Sequence, residues 1–192
     1  MKLDNLHNLQ RCLNLFEDKQ SLIAELDALA KSLGIPAMVI GGAALPTYNF
    51  VRLTEDVDLI TTVDDAHKLG DALLKTGHFQ FVGHSKFKHD SGLEVNFCPE
   101  GVRTHQSSIK TFPSTEDKTP GLHVVSLPRL LAMKVEARRM RDRGDVVELV
   151  KRNGLTRQWM EENVLPLLTG MGGKLAMDLW KEAQKEKENA AR

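Results

Sequence analysis

The sequence predicts an α/β core built on a short mixed β-sheet flanked by helices, followed by an α-helical C-terminal part. Three observations point there. Between residues 37 and 125, short apolar runs bounded by Gly, Asp and Pro alternate with one clearly amphipathic helix, the pattern of strands joined by a crossover. From Leu127 onward only helical periodicities occur. At 192 residues, the chain is long enough for one domain with a real core and a helical appendage. The boundary is placed at 125/126: residues 1–125 carry N-terminal helices and the α/β core, and 126–192 the helical region.

Residues 5–33 show Leu6, Leu9, Leu13 and Phe16, then Leu22, Leu26, Leu29 and Leu33, at helical spacing. Two helices are expected, separated at Asp18-Lys19-Gln20-Ser21 and closed by Gly34 and Pro36. His7 reads as a surface helix residue. Ala37 to Ile40 reads as a buried strand, and Gly42-Ala43-Ala44-Leu45 opens a short helix with Pro46 in its first turn. Asp56 to Thr61 is the second strand. A helix follows, entered through Thr62-Val63-Asp64-Asp65 and closed by Gly77, with acids in its first turn and Ala66, Leu69, Leu73 and Leu74 on its apolar face. Strands are expected at 79–82, 87–89 and 93–97, the last two joined by a turn at Asp90-Ser91-Gly92.

The stretch from Pro99 to Pro120 is polar and irregular apart from Ile109 and Phe112, and His105, Ser107 and Ser108 in it form no recognisable catalytic set. Leu122 to Val125 reads as a short last strand. Ser126 and Pro128 open a helix over 127–143. Another is expected over 145–151, ending at Asn153-Gly154, then one over 156–168 and a last over 174–188, with Gly170 to Gly173 between these two. Trp159 and Trp180 are expected to pack the helical part.

Lys+Arg and Asp+Glu number 26 each, so the chain has no net charge to attract nucleic acid nonspecifically; such a contact needs a local patch. The two cysteines, Cys12 and Cys98, lie far apart without metal-ligand spacing, which favours free thiols in a reducing compartment. No secretory leader or bilayer-length apolar run is present, so a cytoplasmic protein without membrane contact is expected.

The chemistry-bearing stretch is Val39-Ile40-Gly41-Gly42-Ala43-Ala44, in which Gly42 is separated by residues 43–55 from Asp56-Val57-Asp58-Leu59. On a strand, residues i and i+2 share a face, so Asp56 and Asp58 point together while Val57 and Leu59 face the core. Two carboxylates so placed repel each other unless a divalent cation lies between them. Glycines let the backbone approach a phosphate closely. A second polar pair, Glu94 and Asn96, alternates with Leu93, Val95 and Phe97.

The order apolar-Gly-Gly, a gap of about a dozen residues, then Asp-apolar-Asp-apolar resembles the signature of the DNA polymerase β-like nucleotidyltransferase superfamily. Arg52-Leu53-Thr54-Glu55 ahead of the acids is similar to small bacterial members, including toxins neutralised by an antitoxin protein. The likeness spans about residues 37–150. It implies Mg²⁺ held by Asp56 and Asp58, a nucleoside triphosphate whose phosphates lie on Gly41, Gly42, Arg52 and Thr54, and a hydroxyl acceptor on tRNA, protein or a small molecule. It also implies a third carboxylate on the strand at 93–97. Glu94 or Asn96 takes that position; Glu94 is preferred, since Asn can ligate a cation but cannot act as a base. Lys134, Arg138 and Arg141 form a basic stripe on one helix, and the resemblance assigns Lys134 to the triphosphate, with Arg138 a further phosphate contact. Asp142 and Asp145 are expected to pair with these arginines. A catalytically degenerate binding module on the same fold is the alternative.

Overall fold

A computed structural model describes residues 3–99 and 118–190, with side chains from Leu15 onward except Phe16 and Pro99. Most of the irregular stretch at 99–120, His105 included, therefore lies outside the described residues, as does the Cys12 side chain. The chain divides into two compact units. In the first, described over 3–43, 52–99 and 118–124, six strands form one mixed sheet: β1 (Pro36–Ile40), β2 (Asp56–Thr61), β3 (Phe79–Gly83), β4 (Lys86–His89), β5 (Glu94–Pro99) and β6 (Gly121–Val124), in the order β3-β4-β5-β2-β1-β6. β2 pairs in parallel with β5 and antiparallel with β1; β6 runs parallel to β1. This is the mixed α/β fold the sequence predicted.

Helix α1 (Leu3–Leu33) is continuous, where two helices were expected. No Gly or Pro interrupts residues 3–33, and Asp18-Lys19-Gln20-Ser21 costs too little helix propensity to stop it. It ends at Gly34, with φ 70°, where Gly34 N–H bonds to Lys31 and Ile35 N–H to Ala30, a left-handed cap open to glycine. Helix α2 (Val63–Thr76) is capped by Thr62, whose hydroxyl accepts from Asp65 N–H at 3.1 Å, and closed by Gly77 at φ 80°. Leu22 and Leu26 of α1, Leu69 and Leu73 of α2, and Val39, Val57, Leu59, Val95 and Phe97 of the sheet form one core. That core fixes the register of β2 and β5, because a one-residue slip would turn every apolar side chain to the other face.

The second unit, described over 44–51 and 125–190, is helical. A 3₁₀ turn at Leu45–Tyr48 stands where a short helix was expected after the glycines. Helices α3 (Leu127–Ala137), α4 (Met140–Arg152), α5 (Arg157–Asn163) and α6 (Met171–Ala190) follow. The helix expected over 127–143 breaks at Arg138, which takes a left-handed conformation at φ 56°. Asp142 and Asp145 therefore turn back to Lys134. In an unbroken helix they would lie about 12 and 16 Å further along the axis, out of reach. Helix α6 begins at Met171 rather than after Gly173; Gly172 is buried within it, and Gly170 carries the left-handed bend at φ 49°. The indole N–H of Trp180 donates to the Leu155 carbonyl at 2.9 Å, pinning α6 to the turn before α5. Among the described residues, no helix is long and apolar enough to cross a membrane.

Candidate active site

Strand alternation places Asp56 and Asp58 on one face of β2, both half-buried, while Val57 and Leu59 are fully buried on the other. The parallel register sets Glu94 across from Asp56 and Asn96 across from Asp58. The two candidates for the third position thus have different neighbours. The Asn96 amide donates from Nδ2 to Asp58 Oδ1 at 2.9 Å, whereas the Glu94 carboxylate pairs with Lys86 of β4 at 3.5 Å in a largely exposed contact. The Asn96 carbonyl oxygen is buried and makes no hydrogen bond.

The glycine pair closes on the acids from β1. Gly41 has φ 67°, and a Cβ there would lie 2.6 Å from Asp58 Oδ2. A Cβ on Gly42 would lie 3.0 Å from the Thr54 methyl and 3.2 Å from Arg52 Nη2. Ile40 pairs with Asp58 across the β1–β2 ladder, which is why the bend after β1 meets the strand that carries the acids. Thr54 is buried, and its hydroxyl donates to Asp56 Oδ1. Gly41, Gly42, Arg52, Thr54, Asp56, Asp58 and Asn96 therefore lie together in the first unit, with Glu94 beside Asp56.

One neighbour was missed from the sequence. Lys19 of α1 donates from Nζ to the Thr54 carbonyl. Burial holds its ammonium below the ordinary lysine range; Asp56, Glu55 and Asp58 oppose that effect and Arg52 adds to it. The signal was present: Leu15, Lys19, Leu22, Leu26 and Ala30 follow one another at helical spacing, so Lys19 sits on the stripe that packs against the core. Cys98, the next half-buried residue on β5 after Asn96, is a free thiol pushed up to about 11, first by burial and then by the Asp58 charge.

Lys134 and Arg138 belong to the second unit. Lys134 is buried, and its ammonium bonds to Asp145 at 2.6 Å and Asp142 at 3.2 Å; Asp142 also accepts from Arg139 at 2.7 Å. The two aspartates pair with Lys134 and Arg139 rather than with Arg138 and Arg141. The reason is the break at Arg138, which carries that exposed residue off the stripe and brings α4 back along α3.

Among the described residues, no three His, Cys, Asp or Glu side chains form a cluster able to hold a cation. The donors that converge are two carboxylates and one amide. Their oxygens are the hard ligands that Mg²⁺ takes, and the unbonded Asn96 oxygen beside Asp58 is the kind of atom such a cation satisfies. The residues fit the ion.

No protein-family model and no curated protein matches the chain. Among solved structures, the antibiotic-resistance factor ANT(2'')-Ia superposes with a TM-score of 0.48 at 12% identity, over 91% of this chain and 96% of its own. A protein from H. pylori assigned as a nucleotidyltransferase superposes with a TM-score of 0.41 at 13% identity, over 95% and 98%.

Proposed function

We propose that the protein is a Mg²⁺-dependent nucleotidyltransferase that moves a nucleoside monophosphate from a triphosphate to a hydroxyl acceptor. One observation carries the reading: the Gly41–Gly42 bend lies against Asp58, Thr54 and Arg52, with Asp56 on the same strand face. Asp56 and Asp58 would hold the cation, with Asn96 Oδ1 as a neutral third donor on the side of Asp58. When bound, Mg²⁺ would neutralise charge on the phosphate oxygens and favour in-line displacement at the α-phosphorus. The chain's own part is positioning. Thr54 fixes the rotamer of Asp56 through its hydroxyl, and Asn96 fixes that of Asp58 through its amide. Arg52 faces Gly42, where a polyphosphate could lie against backbone without a Cβ in the way. Glu94, across from Asp56, is the carboxylate available to draw a proton from the acceptor hydroxyl. Lys134 already holds two buried carboxylates, which suits it to tying α3 to α4.

The acceptor is a tRNA end, a protein or a small-molecule hydroxyl, and the toxin reading belongs with the first two. Incubation with nucleotides radiolabelled at the α-phosphate in cell extract tests the proposal: one labelled acceptor is expected, and none with Asp58→Asn. If the protein is a toxin, its expression arrests growth and Asp58→Asn relieves the arrest.

A second reading, a nucleotide-binding module without turnover, draws on the amide opposite Asp58 where the superfamily pattern has an acid. Calorimetry with Mg²⁺ and each nucleoside triphosphate, beside a pyrophosphate-release assay, separates the two. Binding without release selects the module.

A further inference from the structure

The lysine that the superfamily resemblance assigns to the triphosphate is buried among aspartates of the helical unit, yet the acid pair has a lysine of its own. Lys19 reaches from the buried stripe of α1 to the Thr54 carbonyl. Thr54 connects three things at once: it receives Lys19, donates to Asp56, and stands 3.0 Å from where a Cβ on Gly42 would be. Arg52 Nη2 stands 3.2 Å from that same point. The glycine bend thus has a guanidinium at Gly42 and an ammonium at the adjoining Thr54, with the two acids beyond.

We propose that Lys19 is a polyphosphate ligand of this site, joining Arg52 on the segment that lies against the glycine bend and binding the di- or triphosphate tail of the nucleotide. The inference rests on the transferase reading and adds to it a residue from outside the motif. An ammonium has three donors, and the Thr54 carbonyl takes one; a phosphate oxygen is a stronger partner than a neutral carbonyl. A lysine on a core-facing stripe loses hydration that an apolar residue would not, and an anion arriving at its tip offsets that loss. Once a divalent cation covers Asp56 and Asp58, the carboxylates attract Lys19 less, and the incoming phosphates become its counter-charge.

Calorimetric titration with magnesium tripolyphosphate tests this on wild type, Lys19→Gln, Lys19→Met and Lys19→Arg, with melting temperatures recorded alongside. Gln keeps a donor for Thr54 but no charge; Met suits the apolar stripe and guards against misfolding. Loss of one charge-assisted contact is expected to weaken binding about tenfold in both neutral variants, while Arg stays within about threefold of wild type. Full affinity in Lys19→Gln would show that only the strap to Thr54 matters, and equal losses in Gln and Arg would show that charge is not the cause. Either result overturns the assignment of Lys19 alone. A wild type that takes up neither tripolyphosphate nor any nucleoside triphosphate overturns the transferase reading, and Lys19 with it.

Discussion

Replacing Lys134 with Met removes the cation from the most buried charged group among the described residues of the helical unit. The side chains of Lys134, Asp142 and Asp145 are 4%, 8% and 2% exposed, so water screens none of them effectively. Breaking one partner out of a buried pair costs about 3–5 kcal/mol, against about 0–1 for an exposed pair. The ammonium bonds to Asp145 at 2.6 Å and Asp142 at 3.2 Å, and Asp142 keeps Arg139 at 2.7 Å, which places the loss at the low end of that range, about 3 kcal/mol. At roughly 2–4 °C per kcal/mol for a chain of this length, the melting temperature falls by about 6–12 °C. Thermal unfolding followed by circular dichroism measures it. A companion Lys134→Met, Asp145→Leu double variant recovers most of the loss, because an apolar pair of similar volume replaces an incomplete ionic one. A single variant that melts within about 1 °C of wild type would refute the claim that this lysine ties α3 to α4.

Other substitutions act at the acid face. Gly41→Ala puts a Cβ 2.6 Å from Asp58 Oδ2 in a left-handed backbone, so it should lower stability by about 1–2 kcal/mol in denaturant titration and weaken magnesium–nucleotide binding as well. Asn96→Asp places a carboxylate where an amide now donates to Asp58 at 2.9 Å; it should melt lower than wild type in EDTA and gain more from millimolar Mg²⁺. Cys98, raised from about 9 to about 11, should alkylate about a hundredfold more slowly at pH 8 in the native protein than in denaturant, measured in a Cys12→Ser background. In the unfolded chain this thiol ionises first as pH rises, so the unfolded state then binds fewer protons and the Cys98 contribution to stability falls from about pH 9 upward.

Local signals made the sheet legible. The alternation at 56–61 and 93–97, the Thr62 cap and the Gly77 stop each lie within a few residues of the element they define, and the structure places those elements within two residues of the expected bounds. The glycine bend and the acid pair were legible for the same reason, since alternation alone sets which side chains share a face. Elements governed by contacts distant in sequence were read less well. The polar patch at 18–21 resembles a break although residues 3–33 hold no Gly or Pro, and only the packing of Leu22 and Leu26 into the core shows that Lys19 lies on the core-facing stripe of α1 rather than in a linker. The break at Arg138 has no Gly or Pro to announce it, and the bonds it permits, between Lys134 and two aspartates eight and eleven residues on, exist only in the folded chain. The choice between Glu94 and Asn96 needed the register between β2 and β5, because both residues lie on the same face of their strand.

The most direct test of the site is calorimetric binding of a non-hydrolysable nucleoside triphosphate, with Mg²⁺ and with EDTA, to wild type and to Asp58→Asn. Binding that requires the cation and disappears in the variant, at an unchanged melting temperature, is the expected result. Binding that survives EDTA, or is undiminished in Asp58→Asn, would contradict a cation held between these acids and the nucleotide.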